Sequence, residues 1–487
     1  MSARHLAASL LCALLGCAAG PSPPGSGQGD AGGQGSAAGA VTGFPRPDAL
    51  DALLEQPLPP ESALAKRFRD VDEWQLAGPF PDAVSAAPRA RGGALGAIVD
   101  DFVASRAGLV VATASMDCFA RELGRFLVAE RGMPAEALQH YAAGRCAVAT
   151  APPRLATFGW TTTRELDDEK AVKALHEEIE QRLRESVVGG PLELGVWIHA
   201  DAGRVDLVVA MGERHVRVDA VPTVPAQRGR VEIRGELLRP AQWVGAAATR
   251  GRFEWSECEP QAGVKLPRFD LVCSVDPGDT TAWIALEYRA PERLLTRVGL
   301  SVLVRPQGTE ERVFRRSPYA PAHVVGDVAD LPAALTEVLN GVRADAGLRP
   351  LTLDAEQTRA AARMAPYYFA AVFGQAPESM AELVALGMLA GWSVDGIVQD
   401  GAFTWGWLVE SLDVSRLLSD ALAEPGARIA LLSRDAERIA IGSVAEGGTD
   451  AHGGYLAVAV PVRRPKGEAW GRYVVLLLAA EPARRSL

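Results

Sequence analysis

After its first sixteen residues the chain has no apolar run of the about 20 residues that a membrane-spanning helix needs. It has no Cys-x-x-Cys spacing, which removes the usual structural zinc sites. It has no P-loop and no dinucleotide fingerprint, so a nucleotide cofactor finds no glycine cradle. No basic block appears. With 50 Lys+Arg against 60 Asp+Glu the net charge is −10, spread along the chain, and nucleic acid is not an expected partner. Histidine is missing between His323 and His452. In His176-Glu177-Glu178-Ile179-Glu180, a glutamate stands where the zinc-protease helix needs its second histidine. Gly391-Trp392-Ser393-Val394-Asp395 lacks the second glycine of a G-x-S-x-G nucleophile elbow. No metal, no cofactor and no catalytic residue is expected on these grounds.

What is present begins at the N-terminus. Arg4 supplies a positive start, and Leu6 to Leu15 is an apolar stretch of signal-peptide length. It ends in Leu14-Leu15-Gly16-Cys17, which resembles a bacterial lipobox. That resemblance implies cleavage after residue 16 and diacylglycerol on the Cys17 thiol. The membrane is then a partner through the lipid, and two acyl chains make such an anchor stable. The expected location is the cell envelope: an outer membrane, on its periplasmic or surface face. Residues 17–45 are rich in Gly, Ser and Ala and have little to bury. As a flexible tether they reach about 25–30 Å from the membrane. Of six cysteines, export removes Cys12 and lipidation takes Cys17. The four left form two sequence-local pairs, Cys118–Cys146 and Cys258–Cys273, expected as disulfides in an oxidising compartment.

Three globular parts follow, of overall α+β class. Residues 46–215 read as an α+β domain, with helices over 94–109 and 115–131. Thr162 with Glu165 reads as a capping box opening a helix to about Arg184, whose apolar face is Val172, Leu175, Ile179 and Leu183. Glu169–Lys173, Glu178–Arg182 and Glu180–Arg184 are i,i+4 pairs on its wet side. A hairpin closes the domain, turning at Asp201-Ala202-Gly203-Arg204. Residues 216–316 alternate short strands with Gly, Pro and Asp turns, the pattern of a small β-sandwich. Residues 317–487 return to helices, then strands. Leu331, Leu335, Val338, Leu339 and Val342 make a helical stripe stopped by Gly347. Asp354 with Gln357 opens the next helix, which Pro366 is expected to bend or end.

Asn340-Gly341-Val342-Arg343, running on to Gly347-Leu348-Arg349-Pro350-Leu351, resembles the opening of the CAP superfamily (cysteine-rich secretory proteins, antigen 5, pathogenesis-related 1). Glu424-Pro425-Gly426-Ala427-Arg428 resembles that family's Ser-Pro-Gly-His-Arg segment, and Ile439-Ala440-Ile441-Gly442 its entry to the final sheet. Over 317–487 the resemblance implies an SCP-like α-β-α sandwich with an antiparallel sheet. Many CAP domains hold a cleft of two histidines and two acidic residues that binds a divalent metal. Here Ala427 replaces the motif histidine and Glu424 its serine, so the resemblance is to a degenerate, metal-free and non-enzymatic member. The N-terminal α+β domain also runs from helices to a terminal hairpin and is a candidate second copy, with no motif of its own.

Trp392, Trp405 and Trp407 crowd one stretch, with Phe403 among them. In Trp405-Gly406-Trp407 both rings point to one side of a strand. Core packing explains them, as it does Tyr367, Tyr368 and Phe369. The functional alternative is a surface for an apolar small molecule, with Trp392, Trp405, Trp407 and Tyr368 as candidate ligand contacts. The expected function is therefore non-catalytic binding or interaction, with an apolar ligand or an envelope protein as partner. The alternative is an envelope hydrolase with an unrecognised carboxylate or serine site.

Overall fold

A computed structural model describes most of residues 68–389 and 411–444. It also gives the backbone of strands Leu11–Ala13, Gly401–Leu408, Tyr455–Ala459 and Tyr473–Ala480. The class is α+β, with helices and strands in mixed sheets.

The first unit runs α1 (Gly93–Ser105), β1 (Val110–Ala112), α2 (Ala114–Glu130), α3 (Glu136–Cys146), β2 (Arg154–Thr161), α4 (Asp168–Ala174), α5 (His176–Ser186), β3 (Leu192–Asp201) and β4 (Arg204–Glu213). Its sheet order is β2-β4-β3-β1. The β2–β4 and β3–β4 pairs are antiparallel and β1–β3 is parallel. Leu11–Ala13, inside the stretch read as the export signal, lies on the outer edge of β2. Alternation along β3 sorts its side chains. Leu192, Leu194, Val196 and Ile198 bury against α1, α4 and α5, with Val172, Ile179 and Leu183 among their partners. The opposite face, with Trp197, meets α2 and α3. Each fully buried Leu or Ile contributes about 1.5–3 kcal/mol before chain entropy is set against it.

The middle of the chain forms β5 (Val216–Val218), β6 (Arg230–Leu237), β7 (Trp243–Arg250), β8 (Glu254–Glu257), β9 (Glu259–Pro260), β10 (Arg268–Ser274), β11 (Ala282–Arg289) and β12 (Arg297–Val304). They make two four-stranded sheets, β5-β6-β10-β9 and β8-β7-β11-β12. Val231, Ile233, Phe269 and Leu271 from one sheet and Ala248, Ile284, Leu286 and Val302 from the other share a core, which makes this a β-sandwich.

The last unit runs α6 (Leu331–Asp345), β13 (Thr352–Leu353), α7 (Ala355–Val372), α8 (Glu378–Leu389), β14 (Gly401–Leu408), α9 (Val414–Ala423), α10 (Pro425–Leu431), β15 (Arg438–Val444), β16 (Tyr455–Ala459) and β17 (Tyr473–Ala480). Its first four strands lie in the order β14-β16-β15-β13, with β13 parallel to β15 and the other neighbours antiparallel. β17 adds on parallel to β14. The sheet is thus mixed rather than purely antiparallel.

Through its first four strands this repeats the first unit, with the same sheet order and strand senses; the edge strand differs, since Leu11–Ala13 is antiparallel to β2 and β17 parallel to β14. The repeat extends to single hydrogen bonds. The Thr113 N–H donates to Leu194 O (3.2 Å) in one unit, and the Asp354 N–H to Ile439 O (2.7 Å) in the other. Each of those residues caps its helix, accepting from the N–H three residues on, Met116 (3.3 Å) or Gln357 (3.1 Å). Four residues past each cap, a side chain accepts from the strand two residues past the first contact: Asp117 from Val196 (3.0 Å), Thr358 from Ile441 (3.2 Å). Close approach of helix and strand is obtained differently in each. A Cβ on Gly195 would lie 2.1 Å from the Met116 backbone, and one on Gly442 2.3 Å from that of Ala361. The two units meet in one continuous core that holds Met116, Phe119 and Leu123 of α2 with Met364, Tyr368 and Phe369 of α7.

Four local expectations are corrected. The helix before β3 is capped by Asp167, whose carboxylate accepts from the Lys170 N–H at 2.8 Å, and not by Thr162. Asp167 can place its short side chain over the exposed first turn, whereas Thr162 is tied to Gly203 at the hairpin by its own N–H. The helix also breaks at Leu175, and Arg182 pairs with Glu185 rather than Glu178. Finally, of the bend or end expected at Pro366 the end is overturned, because α7 continues through it. Met364, Tyr367 and Tyr368 bury one face of it, while Ala362, whose carbonyl loses its partner at the proline, is exposed to water.

Candidate functional site

Cys17 and Trp392 lie outside the described residues. Trp405 and Trp407 stand two apart on β14, opposite Ala457 and Tyr455 of β16, and therefore share a face of that strand. Their side chains are outside the described residues. Tyr368 is 5% exposed, edge-on to Phe369 inside the shared core. The structure does not bring it to a surface. Both expected disulfides are present. Cys118–Cys146 joins α2 to α3 (Cα–Cα 5.6 Å), and Cys258–Cys273 ties the β8–β9 connection to β10 (4.2 Å).

The motif residues of the last unit are engaged with backbone. Asn340 on α6 clamps Leu351 reciprocally: its Nδ2 donates to the Leu351 carbonyl (2.9 Å) and its Oδ1 accepts from the Leu351 N–H (2.7 Å). Gly347, at φ +70°, takes the left-handed turn that follows α6. Arg343 is fully buried. It donates to the carbonyls of Arg349 (2.8 Å), Leu431 (2.6 Å) and Ser433 (3.1 Å), placing a cation at the C-terminal end of α10. Burial, with Arg349 nearby, pulls its pKa down to about 10, so it stays charged at neutral pH. Arg428 donates to Leu422 O (2.8 Å), to Gly251 O and Glu254 O of the sandwich (3.0 and 3.1 Å) and to the Tyr319 hydroxyl (2.7 Å). Ala427 is buried beside it. Arg343 and Arg428 thus hold α10 between the last unit and the sandwich.

Titratable groups converge where α3 of the first unit meets the turn before α10. His140 approaches Glu424 through Nδ1 and Glu136 through Nε2 (3.6 Å). Burial disfavours the imidazolium, but Glu424, Glu136 and Asp420 outweigh that and raise its pKa to about 9. Asp420 belongs in turn to a knot centred on the buried Arg316 and Asp70. Arg316 bonds Asp420 (2.7 Å), Asp70 (2.6 Å) and Asp72 (2.9 Å), and Arg416 bonds Asp70 (3.0 Å). Burial pushes the Asp420 carboxyl up to about 6 against the pull of Arg316. At neutral pH His140 is therefore a protonated cross-link, neither a general base nor a neutral metal ligand. Among the described residues no group of three or more His, Cys, Asp or Glu side chains is arranged to hold a metal ion.

Sequence reasoning passed over this cluster. Its one local signal was the i,i+4 spacing of Glu136 and His140, because Glu424 and Asp420 come from the far end of the chain. No family model matches the chain, and no curated protein matches it at a significant level.

Proposed function

We propose that this chain is a non-catalytic lipoprotein of a bacterial cell envelope, anchored through Cys17, whose last unit is a degenerate CAP-like domain that binds an apolar ligand or an envelope partner. The observation that carries the non-catalytic reading is the use made of the motif residues. Asn340, Arg343 and Arg428 spend their hydrogen bonds on backbone carbonyls and N–H groups, and Ala427 stands where the family's histidine would be. The CAP-like reading is further supported by the helices on both faces of the sheet. The repeated topology extends that reading to the first unit, as a divergent second copy. In this reading the tryptophan-rich strand β14 supplies the ligand surface.

The test is native mass spectrometry of the full exported chain for a co-purified small molecule. A lipid- or sterol-sized mass, lost in Trp405→Ala/Trp407→Ala, supports the apolar-ligand form. A bare protein mass removes that form and leaves an envelope partner. Turnover of ester or peptide substrates by the purified chain would overturn the non-catalytic reading.

A further inference from the structure

Among the described residues five large apolar side chains stand exposed, and three of them gather at one end of the β-sandwich: Trp243 (42%), Val264 (41%) and Leu266 (38%). Strand register places them together. Glu236 of β6 pairs with Arg268 of β10, and the Leu237 N–H donates to Pro267 O (2.8 Å). The loop after β6 and the loop before β10 therefore leave the sandwich at the same end. Trp243 opens β7 opposite Arg289, the last residue of β11, so its backbone lies at that end as well, with its ring laid back over Gly245. Lone exposed apolar residues need no explanation; a concentration of them on neighbouring loops marks a contact surface.

The charge of these loops selects the partner. Residues 260–268 read PQAGVKLPR and residues 238–243 read LRPAQW. Together they carry Arg239, Lys265 and Arg268, in a chain of net charge −10; of the acids that flank them, Glu213 is held by Arg239, Glu236 by Arg217, and Glu259 stands at the foot of the hairpin. Arg239 is in part engaged with Glu213 at 3.4 Å, whereas Lys265 and Arg268 are exposed. An indole and two aliphatic side chains set among cations suit a phospholipid interface. Tryptophan settles at the headgroup level, aliphatic side chains enter the acyl boundary, and lysine and arginine reach anionic headgroups.

We propose that this end of the sandwich docks on an anionic bilayer surface through Trp243, Val264 and Leu266, with Lys265 and Arg268 against the headgroups. The lipid on Cys17 and this patch are then two separate membrane contacts. One chain-terminal anchor alone leaves the body of the protein free to tumble on its tether, and a second contact fixes which side faces the membrane.

The experiment is hydrogen exchange of the full chain with vesicles of phosphatidylcholine alone and of phosphatidylcholine with phosphatidylglycerol. The amides of 238–244 and 259–268 are expected to slow about tenfold with the anionic vesicles, which corresponds to about 1.4 kcal/mol. Val264→Asp/Leu266→Asp should abolish that protection while exchange in α2 and β4 stays unchanged, which reports intact folding. Equal exchange of both loops in the two vesicle types and in their absence overturns the proposal and points to a protein partner for the patch. The intact mass of the same sample reports whether Cys17 carries its diacylglycerol. A lipid-free mass with protected loops refutes the anchor alone, and a lipidated chain with unprotected loops refutes the docking alone.

Discussion

The His140 cross-link gives the chain a stability that alkaline pH removes. The imidazole pKa stands at about 9 in the folded protein against 6.5 for an ordinary histidine. The folded state therefore holds the proton more tightly. The stabilisation is fully present below pH 6.5 and is lost as pH rises toward 9. At 1.36 kcal/mol per pKa unit the shift corresponds to about 3 kcal/mol. Glu424 is 40% exposed, so solvent screening lowers the expected value to about 2 kcal/mol. The variant His140→Gln keeps the size and polarity but cannot be charged. Urea midpoints taken between pH 6 and 9.5 should fall for the native chain and stay level for the variant, which at pH 6 is already less stable by a similar amount. A chain with several cores need not unfold in one step, so exchange of the α3 amides is followed in parallel. Equal pH profiles of the two proteins would refute the reasoning, because the slope would then belong to other groups.

His215 makes the opposite prediction on the acid side. It is 4% exposed, and desolvation lowers its pKa to about 4, helped by Arg239 and Arg297 and opposed by Glu213. Stability is then lost as pH falls from 6.5 toward 4, by about 2–3 kcal/mol, because the unfolded chain takes up the proton first. Asp420, with its raised pKa, works in the contrary sense over part of that window, so the readout is the difference in urea midpoint between the native chain and His215→Phe at pH 7 and pH 4.5. Arg343→Met strands four carbonyl acceptors, that of Ala436 at 3.5 Å among them, and should cost about 3–5 kcal/mol by chemical denaturation. Arg343→Lys should recover less than half of that, since a single ammonium cannot span the fork that guanidinium offers. Full recovery by lysine would mean that charge, not the fork, holds α10.

Features set by neighbours in sequence were legible before the fold was seen. The stripe Leu331, Leu335, Val338, Leu339 and Val342 is one buried helix face, Gly347 turns left-handed after it, and alternation in β6 and β10 marks the sandwich faces. Both cysteine pairs were legible because each is local, Cys118 with Cys146 and Cys258 with Cys273. What was not legible depends on distance. Thr162–Glu165 has the composition of a capping box, yet the hairpin holds Thr162 elsewhere. Pro366 reads as a helix breaker, yet the buried side chains around it outweigh one lost hydrogen bond. The main partner of His140, Glu424, is in the other unit, so only the weaker i,i+4 contact with Glu136 leaves a trace in the sequence. The repeat was legible only as a like order of elements, and its lack of a motif has a related reason. Its conserved content is geometry, a cap and a fourth residue that each accept an N–H, and threonine or aspartate serves at either position.

That equivalence makes a stability prediction that neither unit makes by itself. The third residue after the cap is Met116 in the first unit and Gln357 in the last, and both are buried. Met116 fills its place with apolar atoms. Gln357 is 1% exposed, and among the described residues neither its Nε2 nor its Oε1 has a hydrogen-bond partner. A buried amide without partners costs about 1–3 kcal/mol. Gln and Met have similar length and volume, so Gln357→Met removes the penalty without opening a cavity or forcing the neighbours apart. The substitution should stabilise the last unit by about 1–2 kcal/mol, read as a rise in urea midpoint and slower exchange along α7. The reverse change, Met116→Gln, should destabilise the first unit, since the same polar atoms would enter the core among Phe119, Leu123 and Ala120. If Gln357→Met is instead destabilising while Met116→Gln is destabilising too, the two positions are not equivalent. The amide of Gln357 would then be held by a group that the hydrogen-bond pattern does not include, such as an ordered water with several polar partners.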